Sequence, residues 1–190
     1  MQDWLDNNPV EKVEAWRIRG KTPKIFTPEE VRKILDSTPP KSEIRAYVAI
    51  SAFTGIRNAE MQRLTWDKIK LEDREIILDS EITKTASRRI VKIPENLAKW
   101  LEPYVWELGT KKKILSKGKT TLINKLHESL GKGNWINNGL RHSAATYYLA
   151  LTKNAYLTAE QMGHAVDVLK QNYNGLAREK DAIKYFEIDP

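Results

Sequence analysis

Cysteine is absent from the 190-residue sequence, so neither a disulfide nor a thiolate metal site is open to the chain. That absence fits a reducing compartment. Long apolar runs are missing too. The longest in a helix-like window, Ile44 to Phe53, is interrupted by Arg45 and falls far short of the roughly 20 residues that cross a bilayer. The first residues, Met-Gln-Asp-Trp-Leu-Asp-Asn-Asn-Pro, lack a basic segment followed by an apolar one. The pattern of a signal peptide is therefore not there, and the expectation is a cytoplasmic protein with no membrane partner. A glycine-rich phosphate loop of the Walker type and an acidic pair spaced for Mg²⁺ are likewise missing, so the expected cofactors and metals are none. The sequence shows no internal repeat and no low-complexity segment.

What is there has the balance of a folded, water-soluble domain. Apolar residues make up 41% and charged residues 30%, which excludes a disordered chain as well as a membrane-embedded one. The length suffices for one domain with its own core. Lysine and arginine number 32 against 25 acids, a net charge of +7. Such an excess attracts polyanions, because neutralised phosphates release their counterions. Ribosomal and membrane-surface proteins share this balance, so charge alone does not choose among them.

The periodicity predicts a mainly helical fold with one small three-stranded antiparallel sheet, an α+β class. Residues 1–26 read as an arm or linker, broken by Pro9, Gly20 and Pro23 and carrying Trp4 and Trp16. A helix opens at Thr27, with Pro28 at its first position and Glu30 completing a capping box; Val31, Ile34 and Leu35 form its apolar face. A more buried helix spans about 42–53 and ends at Gly55, and a short one follows over 58–64. Strand character appears at 68–71, 75–78 and 89–93. From Pro94 one helix is expected with Leu97, Leu101, Tyr104, Val105 and Leu108 on a single face. Residues 110–120 form a basic loop, and Leu122, Ile123, Leu126 and Leu130 outline a helix ended by Gly131. Further helices are expected at 140–151, 158–162, 165–174 and 179–188.

Several side chains could together cleave a phosphodiester without a metal. Such chemistry needs permanent cations on the non-bridging oxygens, and arginine suits this because its planar fork is bidentate and stays charged. It also needs a nucleophile and an acid for the leaving oxygen. Arg57, Lys84, Arg141, His164 and Tyr173 could fill these roles. Each has a plainer reading when taken singly. Arg57, after Thr54-Gly-Ile, reads as a surface arginine at a helix start. Lys84 lies in a turn between strands, where lysine commonly protects an edge. His142, beside Arg141 at a helix start, reads best as a buried, hydrogen-bonded histidine, and His164 as a cap or packing residue. Tyr173 follows Val166 and Leu169 at helical spacing and could be core, although Asn174-Gly175 ends the helix right after it.

The order and spacing resemble the tyrosine recombinases, the phage-type integrase family. Thr54-Gly-Ile-Arg-Asn-Ala-Glu60 is similar to the family's first-arginine motif, including the acidic residue three places on. Thr83-Lys-Thr with Arg89-Ile-Val-Lys-Ile-Pro94 is similar to its catalytic-lysine hairpin, Leu140-Arg-His-Ser143 to its second-arginine motif, and Met162-Gly-His164 to its Leu-Gly-His motif. Tyr173 follows that histidine by nine residues, as the family's nucleophile does. The similarity covers about residues 24–188.

The resemblance implies the DNA breaking-rejoining fold and a site-specific recombinase. Tyr173 would attack a DNA phosphate to give a 3′-phosphotyrosyl bond, Lys84 would protonate the leaving 5′ oxygen, and Arg57 and Arg141 would hold the phosphate with His164 and Asn138. The implied partner is double-stranded DNA, with a homotetramer on two duplexes for the full-length protein. Relaxation of supercoils in the manner of a type IB topoisomerase and a degenerate relative that only binds DNA are the alternatives. Lys111, Lys112, Lys113, Lys117 and Lys119 are candidate phosphate contacts, or equally a solvated loop. Asn138 departs from the family, which carries histidine there; an amide donates a hydrogen bond but carries no proton. Nothing in the sequence matches the family's helical core-binding domain. Residues 1–26 then read as the linker from that missing domain, and 27–190 as the catalytic domain.

Overall fold

The computed structural model describes residues 22–80, 82, 88–116, 124, 126, 131 and 135–190. Helix α1 (Pro28–Asp36) starts where its capping box requires: Glu30 N–H donates to Thr27 Oγ1 at 3.2 Å and Thr27 N–H to Glu30 Oε2 at 2.8 Å. It ends at Ser37, short of Pro39-Pro40. Helix α2 (Glu43–Thr54) is the axis of the molecule, with every residue from Ile44 onward buried except Arg45. A helix apolar on all sides sits in the middle of a core. Gly55 ends it at φ +64°, a conformation that glycine adopts without strain. The short α3 (Asn58–Met61) follows. It stops before the expected residue 64 because the next segment extends, and Leu64 accepts a backbone bond from Ile114 at 3.1 Å.

The sheet is antiparallel in the order β1 (Ile69–Lys70), β2 (Glu75–Leu78), β3 (Arg89–Lys92), with Ile69 opposite Ile76 and Ile76 opposite Val91. Ile76, Leu78 and Val91 turn their side chains into the core. The single helix expected from Pro94 is two pieces. Helix α4 (Glu95–Leu101) gives way to a 3₁₀ stretch, Glu102–Glu107, kinked at Tyr104. Pro103 supplies the cause, since its ring removes a donor and clashes with the carbonyl four residues back. The kink throws Val105 out to 54% exposure, while Tyr104 stays buried, stacks on Trp66 at 5.4 Å and donates to Ser42 O.

The second half wraps α2. Helix α5 (Gly139–Thr152) lies along it. Gly139 is required there: a Cβ at that position would sit 2.5 Å from the Phe26 ring. Ser143 Oγ accepts from Phe26 N–H at 2.8 Å, which docks the segment before α1. Helices α6 (Ala155–Met162), α7 (Val166–Asn172) and α8 (Glu179–Phe186) follow. Tyr185 of α8 is buried, stacks on Tyr147 at 4.3 Å and donates to Ala52 O at 2.6 Å. A smaller apolar cluster of Ala144, Ala145, Leu149, Ala159, Met162, Leu169 and Tyr173 joins α5, α6 and α7. The fold is thus mainly helical with one small antiparallel sheet, as the periodicity predicts. Most of the helix expected over 122–130, and residues 1–21, lie outside the described residues. No helix among the described residues is long and apolar enough to cross a membrane.

Candidate active site

Two chain turns and two helix ends meet at a single place: the turn after α2, the start of α5, the turn after α6 and the C-terminus of α7. Arg57 caps α3, and its side chain reaches across to donate to Gly163 O. Arg141, one turn into α5, donates to Gly55 O and, at 2.9 Å, to Met162 O. Each arginine therefore ties a turn on the far side of the site, so the backbone that carries the functional groups is cross-linked by them. Burial and the nearby charge of Arg57 push Arg141 down to about 10, which leaves it cationic at neutral pH.

Glu60 neutralises part of this charge. Its carboxylate is fully buried and accepts from Arg57 N–H at 3.0 Å and Arg57 Nη1 at 3.1 Å. Arg89 at the start of β3 grips the same carboxylate with both forks, at 2.8 and 2.7 Å. Burial pushes Glu60 up, but the bonds and charge of Arg89, with those of Arg57, outweigh it and hold the carboxyl below its ordinary range. Two guanidinium groups thus share one carboxylate, and with the charge of Arg141 nearby the surplus is positive. Arg89 has no role in the sequence reading; it stands there only as part of the hairpin motif. Its partner lies 29 residues away, so no local pattern announces the pair. Gly163 makes room for it: at φ +64°, a Cβ there would meet Arg57 Nη1 and Arg89 Cζ, each at 2.9 Å.

Tyr173 sits at the end of α7 with 4% exposure, its N–H bonded to Leu169 O at 2.9 Å. Its hydroxyl lies 2.8 Å from His142 Nδ1. The His164 ring stacks on the tyrosine ring, centroids 5.6 Å apart and planes 26° from parallel. Burial raises the phenol while Arg141 draws it down, and the net direction is upward. Burial, then Arg141 and Arg57, push His164 down to about 3, and its buried Nδ1 has no hydrogen-bond partner among the described residues. His142 is lowered by burial and by Arg141. The expectation of a hydrogen-bonded His142 holds, its partner being the Tyr173 hydroxyl, although the ring is half-buried rather than buried.

Asn138 precedes α5 at φ +53°, exposed and without a capping bond from its side chain. It lines a cavity of about 150 Å³ with Arg141, Asn58 and Tyr47. Arg57, His164 and Tyr173 do not line that cavity. Lys84, Lys117 and Lys119 lie outside the described residues. Lys111, Lys112 and Lys113 are exposed. Lys112 pairs with Glu107 at 3.0 Å, and Lys112 and Lys113 line a groove with Lys41 and Glu43 at the start of α2. The arginines gather at the other end of that 12-residue helix, roughly 18 Å away at 1.5 Å per residue. Among the described residues, no group of three His, Asp or Glu is placed to hold a metal ion.

A pocket of fixed cations around a neutral hydroxyl suits a phosphate and a nucleophile. Comparison with known proteins points the same way. The model of the phage integrase family matches residues 24–180. A tyrosine recombinase of Thermosipho africanus is 27% identical over 168 residues, covering 83% of this chain and 59% of that protein. The chain thus spans about 59% of the length of this curated relative. Among solved structures, XerA recombinase superposes with a TM-score of 0.67 at 20% identity, over 87% of this chain and 64% of that one. A lambda integrase tetramer bound to a Holliday junction gives 0.61 at 15% identity, over 92% and 54%. With the family model covering most of its length, the chain belongs to the phage integrase family.

Proposed function

We propose that this chain, over residues 27–190, is the catalytic part of a site-specific DNA recombinase that cuts and rejoins double-stranded DNA through Tyr173. The observation that carries the reading is that Arg57 and Arg141 hold the turns at Gly163 and Gly55, and that His164, next to the first of these turns, stacks on the ring of the buried Tyr173. In this reading a DNA phosphate takes the place of the backbone carbonyls of Gly55, Met162 and Gly163 that the arginines now hold. Arg57 and Arg141 stabilise charge on the non-bridging oxygens, where preorganised donors act most strongly. His164 adds a donor from its unpartnered nitrogen. Tyr173 Oη bonds to phosphorus, the bond to the 5′ oxygen breaks, and Lys84 supplies the proton that makes a 5′-hydroxyl. Asn138 contributes a hydrogen bond. A 5′-hydroxyl from a partner duplex reverses the step, and the phosphotyrosyl bond conserves the energy for it. Residues 1–26 serve as the linker to a DNA-binding domain, the whole acts in the cytoplasm, and the lambda integrase tetramer compared above supports assembly of four copies on two duplexes.

Tyr173→Phe tests the reading on a pool of nicked duplexes of randomised sequence, where loss of a strand past the nick traps the adduct. A denaturation-resistant protein–DNA adduct is expected from the natural chain and none from Tyr173→Phe, with DNA binding nearly unchanged because only a hydroxyl is lost. An adduct that survives in Tyr173→Phe overturns the assignment. Tyr185 is no substitute, since its hydroxyl is buried against Ala52 O. Recombinant products rather than relaxed circles separate this activity from that of a topoisomerase.

A further inference from the structure

We infer that His142 takes the proton from the Tyr173 hydroxyl as that oxygen attacks phosphorus, and returns it when the strand is rejoined. The inference rests on the reading of Tyr173 as the nucleophile. A phenol ordinarily ionises near pH 10, and burial moves this one further up. At neutral pH the hydroxyl therefore carries its proton, and attack requires an acceptor already in place.

The groups around Tyr173 leave one candidate among the described residues. Arg57, Arg89 and Arg141 are permanent donors. Glu60 has both oxygens engaged by Arg57 and Arg89. Asn138 carries an amide, which holds no proton. His164 lies face to face with the tyrosine ring, and stacking directs its nitrogens along the ring plane rather than toward the hydroxyl. His142 Nδ1 stands at hydrogen-bond distance, 2.8 Å, with the two rings tilted by 37°. With its proton on Nε2, a neutral imidazole presents the Nδ1 lone pair to the phenol.

The surroundings keep His142 in that neutral form. It faces Tyr173 at the end of α7 and His164 after α6, and adjoins Arg141 on its own helix; Arg57 and Arg89 stand behind His164. These neighbours are cationic or neutral, so at neutral pH the ring stays uncharged until it receives a proton from the hydroxyl. The step balances. The proton moves from Tyr173 Oη to His142 Nδ1, the Oη–P bond forms, the P–O5′ bond breaks, and the 5′ oxygen takes its proton from a separate acid. Rejoining runs these transfers backward. Arg141 and His142 are adjacent at the start of α5, so the phosphate donor and the proton acceptor share one rigid turn.

The test is single-turnover adduct formation on the nicked duplex pool from about pH 5 to about pH 9, spanning the ordinary imidazole range. The natural chain should speed up as pH rises through a value below the ordinary imidazole pKa and then level off. His142→Ala and His142→Gln should both be slower by about 10²–10⁴ and lose that climb, while binding DNA as before. Glutamine separates the two roles of the ring, because it accepts a hydrogen bond but no proton. A substrate with sulfur at the 5′ bridging position needs no acid for its leaving group. It should restore Lys84→Ala and leave His142→Gln slow. Near-normal cleavage by His142→Gln, a flat pH profile in the natural chain, or rescue of His142→Gln by sulfur overturns the inference alone. Absence of any adduct from the natural chain overturns the reading of Tyr173 and this inference with it.

Discussion

Asn138 has a backbone in the left-handed region, φ +53°, which costs most side chains about 1–2 kcal/mol but asparagine less. Its identity thus has two explanations, the turn and the amide. Asn138→Gly separates them, because glycine keeps the turn and removes the amide. The expected outcome is an unchanged melting temperature and a cleavage rate lower by roughly ten- to hundredfold, the worth of one donor to a charged oxygen. An unchanged rate in Asn138→Gly would leave the turn as its only task; a faster Asn138→His would instead identify a missing proton carrier. Asn138 was legible as a departure because it falls inside a motif whose other members are in place. The partner of His142 was not. It is 31 residues away, and a histidine at a helix start looks the same whether it meets a carbonyl or a tyrosine hydroxyl. Arg89 escaped for a like reason, since a buried pair with Glu60 has no local pattern.

Among the elements, those governed by short-range rules were readable. The capping box of α1, the glycine after α2 and the alternation in β2 and β3 each act within a few residues, and the structure follows them. The helix over α4 was misjudged because its apolar face continued past Pro103, and backbone sterics prevailed over periodicity. The joining of α6 to the sheet was unreadable. Gln161, buried, accepts from Lys92 N–H and donates to Lys92 O, both at 2.9 Å, so a side-chain amide takes the place of a neighbouring strand beside β3. This contact fixes the turn at Gly163 against Arg57 and Arg89. Two glycines test what the turns are for. Gly163→Ala places a methyl 2.9 Å from two guanidinium groups, and Gly55→Ala places one 2.3 Å from the Met162 sulfur. Both strain the backbone by about 1 kcal/mol. Gly163→Ala should cut adduct formation at least tenfold at saturating DNA, because it moves the arginines. Gly55→Ala should lower the melting temperature more, through overpacking worth about 1–3 kcal/mol. Equal activity losses at equal stability would remove the distinction.

The molecule as a whole holds more positive charge at one point than its carboxylates cancel there, and this makes its stability depend on pH and on anions. His164 is held down to about 3 in the folded protein, against about 6.5 in an unfolded chain. Between these values the unfolded state binds a proton that the folded state refuses, so stability falls as pH drops from about 6.5 toward 3. Solvent near the site moderates the effect, and by pH 5 it amounts to no more than about 2 kcal/mol, at 1.36 kcal/mol per unit. Glu60 acts in the same direction at lower pH, since its depressed carboxyl gives stability that is lost once acid protonates it. Thermal melts at steps from pH 7 to pH 5 should therefore slope downward, and His164→Asn should flatten much of that slope. Sulfate, a dianion of phosphate-like shape, should bind between Arg57 and Arg141 and raise the melting temperature by mass action. It should also favour a protonated His164, so its effect should be larger at pH 5 than at pH 8. Chloride at matched ionic strength supplies the screening without the tetrahedral oxygens. If chloride reproduces the sulfate effect, or if His164→Asn keeps the full slope, the cationic cluster is not a phosphate site poised by its own repulsion. If sulfate alone acts, and acts more strongly in acid, then what the DNA phosphate supplies on binding is the negative charge that the fold withholds from Arg57, Arg141 and His164.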